Sequence, residues 1–158
     1  MPTIVLTTAI RATPDACFAA SLSVEAHTAS MGDSGERAVA GRTTGVLGPG
    51  DTVTWRARHF GLPFRMTARI GVHEAPHRFI DEQVSGPFRS WWHEHRFAAT
   101  PDGTSMTDTV RYTSPAGPLG RLVDRLVLVR YLTRLLEARN RWLAAELSRG
   151  RGDAGAAG

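Results

Sequence analysis

At 158 residues, with 42% hydrophobic and 22% charged content, the chain has the composition of one folded domain long enough to bury a real core. Its net charge of +4 rests on 19 basic residues, all arginine, dispersed without a basic cluster or a nucleic-acid motif, so nucleic acid is excluded as a partner. There is no long apolar run and no basic leader ahead of Ile4, which argues against a membrane span, and the single Cys17 excludes an internal disulfide and suits a cytoplasmic protein.

Pro2 to Arg11 is an apolar, β-branched run and reads as a strand. Thr13-Pro14-Asp15 starts a helix, with a hydroxyl cap, proline at the first helical position and an acid in the first turn. That helix runs to about Leu22; a second spans Val24 to Met31 and is broken by Gly32-Asp33-Ser34-Gly35. Strand material follows from Glu36 to Leu47, interrupted at Gly41, up to the turn Gly48-Pro49-Gly50-Asp51.

Period-two alternation is clear in the next two strands. Val53, Trp55, Ala57 and His59 face one way; after a turn near Gly61-Leu62-Pro63, Phe64, Met66, Ala68, Ile70 and Val72 do the same. Turns at Ala75-Pro76-His77, Gly86-Pro87 and Thr100-Pro101-Asp102-Gly103 separate three further strands, Phe79–Ser85, Phe88–Phe97 and Thr104–Tyr112. From Pro118 to Leu147 the period changes to that of a helix, a rod of roughly 45 Å. Residues 1–148 form the domain, and 149–158 a Gly/Arg/Ala tail expected to be disordered.

The strand through Trp91-Trp92-His93-Glu94-His95-Arg96-Phe97 carries the most chemistry. By parity Trp91, His93, His95 and Phe97 share an inward face, while Ser90, Trp92, Glu94 and Arg96 face out. Two imidazoles in an apolar interior are costly unless paired. On the last strand Met106, Asp108, Val110 and Tyr112 share a face, and an unshifted hairpin at Pro101-Asp102 sets Asp108 opposite His95. A glycine bulge at Gly103 would shift that register by one; the inward register is preferred because Met106, Val110 and Tyr112 need burial.

Strand, two short helices, about six antiparallel strands and a long amphipathic helix have one economical packing. A curved antiparallel sheet of six to seven strands wraps the C-terminal helix, the short helices close one end, and a cavity remains between sheet and helix. Glu36-Arg37-Ala38-Val39-Ala40-Gly41, Asp51 through Gly61, Phe79-Ile80-Asp81-Glu82-Gln83, Gly86-Pro87-Phe88 with His93-Glu94-His95-Arg96-Phe97, Gly103 through Asp108, and Tyr112 through Gly120 resemble bacterial members of the START/polyketide-cyclase superfamily. The resemblance spans nearly the whole chain and implies the α+β helix-grip fold shared with birch-pollen-type allergens. Lipid carriers, hormone receptors, ubiquinone-binding proteins and aromatase/cyclases all use that fold, so it leaves function open.

Three uses of the interior polar groups compete. They form a satisfied network that only supports the strands; they form the polar end of an apolar cavity for a lipid- or polyketide-like ligand; or they move protons in aldol-type cyclisation or dehydration. The ligand-facing set is Trp55, His59, Phe64, Met66, Asp81, Gln83, Trp91, His93, His95, Met106, Asp108 and Tyr112, with His93, His95 and Asp108 the catalytic candidates. His-x-His with a carboxylate resembles a facial metal triad, but the cupin spacing fails, so no metal and no cofactor are expected. A homodimer is left open.

Overall fold

The computed structural model describes residues 1–115, 117, 122–123 and 127–155, the side chains of 151–155 excepted. In chain order the elements are β1 (Thr3–Ile10), α1 (Pro14–Leu22), α2 (Val24–Ser30), a 3-10 turn (Gly32–Ser34), β2 (Arg37–Gly41), β3 (Thr52–His59), β4 (Leu62–Glu74), β5 (Arg78–Ser85), β6 (Ser90–Thr100), β7 (Gly103–Thr113) and α3 (Val129–Gly155). The strands form one seven-stranded sheet in the order β1-β7-β6-β5-β4-β3-β2, every neighbouring pair antiparallel. This curved sheet wraps α3, and α1 and α2 follow the first strand, which is the helix-grip arrangement expected from the element order.

Local chemistry explains the start of both short helices. Thr13 caps α1 by accepting from the Ala16 amide at 3.3 Å, and Pro14 opens the first turn. Ser23 closes α1 and caps α2, accepting from the Ala26 amide at 3.1 Å. Phe18 on α1 then inserts edge-on against Phe79 and Phe97 of the sheet, both with centroids 5.6 Å away. Burial of each such ring is worth about 1.5–3 kcal/mol, enough to pin the short helices to one end of the sheet. A second apolar cluster, Ile4, Val110, Tyr112 and Leu136, packs β1, β7 and α3 together.

Register at the β6–β7 hairpin decides where the ionisable groups go. Thr100 pairs with Gly103 across Pro101-Asp102, and pairing continues without a shift to Ser90 and Thr113, so His95 lies directly opposite Asp108. The glycine is required there: a Cβ on Gly103 would sit 2.2 Å from the Ile10 carbonyl oxygen, and its φ is +152°.

Several expectations are corrected. The strand at 36–47 is limited to β2, with a single isolated bridge from Val46 to Ser23; Gly41 ends β2 with φ +71°, and a Cβ there would lie 2.3 Å from the Thr52 carbonyl oxygen. The β3–β4 turn is Phe60-Gly61, both at positive φ, with His59 paired to Leu62, so Leu62 and Pro63 belong to β4. A bulge between Ile70 and Val72 reverses the parity of β4, and His73 rather than Val72 turns inward, its ring 5.1 Å from Phe18. Helix α3 continues to Gly155, and residues 156–158 of the expected tail lie outside the described residues. The expected helical start at Pro118 falls among residues 118–121 and 124–126, outside the described residues. Among the described residues, no helix is long and apolar enough to cross a membrane.

Candidate functional site

Between the sheet and α3 lies a cavity of about 360 Å³. Eight of the twelve ligand-facing candidates line it: Trp55 and His59 from β3, Phe64 and Met66 from β4, Asp81 from β5, and Trp91, His93 and His95 from β6. Leu128, Tyr131, Leu132, Leu135, Leu136 and Arg139 close it from the helical side. The other four candidates are not among the lining residues. Gln83 clamps the chain at Phe88, its Nε2 donating to the carbonyl at 2.7 Å and its Oε1 accepting from the amide at 3.3 Å. Met106 and Tyr112 are fully buried in the two apolar clusters. Asp108, 1% exposed, stands behind the histidines. Trp92 faces away, under the Arg111 guanidinium at 4.8 Å.

Strand parity puts both imidazoles on the concave face, 3.8 Å apart between centroids. Asp81 is the residue across from His93 on β5, and Asp108 is across from His95 on β7. The carboxylates nevertheless bond along the diagonals. His93 Nε2 lies 2.9 Å from Asp108 Oδ1, and His95 Nε2 lies 3.0 Å from Asp81 Oδ2. His95 Nδ1 is also 2.9 Å from Asp108 Oδ1, a charge contact without hydrogen-bond alignment. From α3, Asn140 Nδ2 donates to Asp108 Oδ2 at 2.7 Å and Arg139 Nη1 to Asp108 Oδ1 at 3.3 Å.

Electrostatics separates the two histidines. Burial holds His93 below its ordinary value, and the charge of His95 pushes it further down. Burial also pulls on His95, but its contacts with the Asp108 and Asp81 carboxylates outweigh it, and the net direction is up. Burial opposes the charge on Asp108, yet the close approach of His93 and His95 and the Arg139 guanidinium hold it well below the usual carboxylate range. Asp81 is likewise lowered against burial, by the charge of His93 and by its bond to His95. The two histidines are thus driven in opposite directions between two carboxylates held below their ordinary values, with the Arg139 guanidinium beside them.

Asp81, His93 and His95 each offer a ligand atom, all within 4.8 Å of one another. They do not suit a resident divalent cation: both Nε2 atoms are already engaged by carboxylates, and Arg139 adds positive charge beside them. What the arrangement can do is hold or move a proton at one polar wall of an apolar chamber. Asp81 is the accessible member, with 20% of its side chain exposed against 7% for His93 and 3% for His95.

Arg139 and Asn140 were legible only as a pattern. They lie with Leu136 and Leu143 at spacings of three and four, on the buried stripe of α3, at 6% and 2% exposure. Attention to the leucines alone passes over two polar residues in the same stripe. His27 and Glu36 were also missed: they line the cavity as a hydrogen-bonded pair at 3.1 Å, with His27 stacked on Trp55 at 4.1 Å. No sequence spacing links a residue of α2 to one immediately before β2.

Residues 12–138 match the family model described as polyketide cyclase / dehydrase and lipid transport. No curated protein sequence matches the chain. Among solved structures, TTHA0849 from Thermus thermophilus is similar at TM-score 0.72 and 19% identity, covering 92% of this chain and 99% of that one. The Zhui aromatase/cyclase from Streptomyces sp. R1128 is similar at TM-score 0.66 and 16% identity, covering 94% of each chain. Major latex-like protein 151 from Panax ginseng is similar at TM-score 0.64 and 14% identity, covering 92% and 96%. At such identities the likeness establishes the fold.

Proposed function

The chain belongs to the polyketide cyclase / dehydrase and lipid transport family, and we propose that it binds a hydrophobic or amphipathic small molecule between its sheet and α3. The observation that carries this reading is the cavity itself. Its volume of about 360 Å³ falls in the range of small-molecule sites, and its walls are aromatic and aliphatic, with Asp81, His93 and His95 gathered on one of them. Incubation with a panel of lipids and aromatic polyketides, followed by native mass spectrometry, tests the reading. A one-to-one adduct with at least one member is expected; the absence of any adduct across the panel overturns it.

A second reading is favoured by the split histidine pair. Neighbouring titratable groups whose environments push them in opposite directions are the usual arrangement for acid and base roles. Cyclisation or dehydration needs a base to take a proton beside a carbonyl and an acid to deliver one to the developing or departing oxygen. Asp81 opens to the cavity and its Oδ2 lies 3.0 Å from His95 Nε2, so one dyad offers both roles. Asp108, which the sequence placed among the catalytic candidates, acts in this reading by positioning the imidazoles.

A further inference from the structure

The cavity holds a second polar wall that neither reading above uses. Glu36, immediately before β2, lines it with 11% of its side chain exposed. Its Oε1 takes the 3.1 Å contact from His27 Nε2, and its Oε2 has no hydrogen bond among the described residues. His59 and Tyr131, joined by a 2.6 Å hydrogen bond, line the same cavity. Burial opposes ionisation of Glu36, but His27, His59 and Arg139 together hold it below its ordinary value, so it stands as a carboxylate.

Arg139 faces the same space. Its Nη1 is spent twice, on Asp108 Oδ1 at 3.3 Å and Asn140 Oδ1 at 3.1 Å. Its Nη2 and Nε make no hydrogen bond among the described residues, although the residue is 6% exposed and lines the cavity. That edge opens onto the cavity, where an acceptor atom on a bound molecule can take its hydrogen bonds. That acceptor cannot cheaply be a carboxylate. Asp81 and Glu36 both look into the chamber, and a third negative charge would meet two like charges in a medium that screens them poorly. An uncharged head group meets no such opposition: its oxygen accepts from Arg139 while a hydroxyl proton goes to Glu36 or Asp81.

Building on the small-molecule reading, we propose that Glu36 and Arg139 form a head-group subsite that selects uncharged, hydroxyl-bearing amphiphiles over carboxylate amphiphiles of equal length. The aromatic and aliphatic walls take the tail; Arg139 donates to the hydroxyl oxygen; Glu36, with Asp81, accepts the hydroxyl's hydrogen bond and repels the anion. Glu36 is thus the specificity-determining residue.

Matched ligands test this. 1-Decanol and decanoate are titrated separately against the full chain at pH 7.5, by calorimetry and by displacement of a cavity-bound fluorophore. The wild-type protein is expected to bind decanol about tenfold or more tighter than decanoate. Glu36→Gln is expected to bring the two within about threefold, chiefly by improving decanoate. Equal or tighter binding of decanoate by the wild type overturns the subsite while leaving the small-molecule reading intact. An unchanged ratio in a folded Glu36→Gln protein overturns the role of Glu36. Failure of both ligands and the fluorophore to bind removes the reading on which the subsite rests. The wild-type comparison decides the matter even where Glu36→Gln does not fold.

Discussion

His93 bonds diagonally: its Nε2 lies 2.9 Å from Asp108 Oδ1, although the residue directly opposite His93 on β7 is Val110. Asp108 thereby becomes the anion shared by both imidazoles, Arg139 and Asn140, with its side chain entirely enclosed. It organises the polar wall from behind, and Asp81 presents that wall to the cavity.

Loss of this anion should be felt in stability. Asp108→Asn leaves the Arg139 guanidinium and the imidazoles buried without their shared anion, at a cost of about 3–5 kcal/mol. Asn140→Leu removes one donor to Asp108 and should cost about 1–3 kcal/mol. Urea unfolding at pH 7 measures both; a cost below about 1 kcal/mol for Asp108→Asn would contradict the assigned role.

The two histidines should give stability opposite pH slopes. His93, lowered in the fold, contributes stability that is present above about pH 6.5 and lost as pH falls through its folded value. His95, raised, contributes stability that is complete below about pH 6.5 and lost as pH rises through its folded value. The wild-type advantage over His93→Gln should therefore grow from pH 5 to pH 7, and the advantage over His95→Gln should shrink from pH 6 to pH 9. Parallel slopes for the two variants would refute the split.

Acid–base chemistry, if it is the cavity's work, should depend on Asp81 more than on any residue behind it. Asp81→Asn is expected to lower turnover of a cyclisation or dehydration substrate by about 10²–10⁴-fold with the fold preserved. Unchanged turnover in that variant rules out the dyad.

The tip of the β3–β4 hairpin should be latched to α3 through Tyr131. Its hydroxyl meets His59 Nδ1 at 2.6 Å, and its ring lies 4.5 Å from Phe60, which is held at φ +53°. Tyr131→Phe should cost about 0.5–1.5 kcal/mol and speed amide hydrogen exchange at residues 59–62. Exchange at wild-type rates would show that the latch does not hold the tip.

Much of this architecture was legible because the chemistry is local. Alternation placed His93 and His95 on the concave face, and the Pro101-Asp102 turn, once read without a bulge, fixed His95 against Asp108. The β4 bulge was not legible: nothing in Ile70-Gly71-Val72 announces that parity reverses, yet it moves His73 inward against Phe18. Nor does parity distinguish a side chain on the cavity wall from one packed solid, which is why Met106 and Tyr112 were grouped with Trp91. Contacts from α3 depend on how that helix sits across the sheet, so the roles of Arg139 and Asn140 at Asp108 required the tertiary arrangement.

Ala57 offers the most direct test of the cavity as a binding chamber. It is 7% exposed, lies on β3 between Trp55 and His59, and lines the space. Ala57→Phe would place a ring in the chamber, and calorimetric titration with a ligand found for the wild-type protein measures the consequence. The account predicts that binding falls by about 100-fold or more while the unfolding midpoint is retained. Wild-type affinity in a folded Ala57→Phe protein would contradict it, because the ligand would then be held elsewhere.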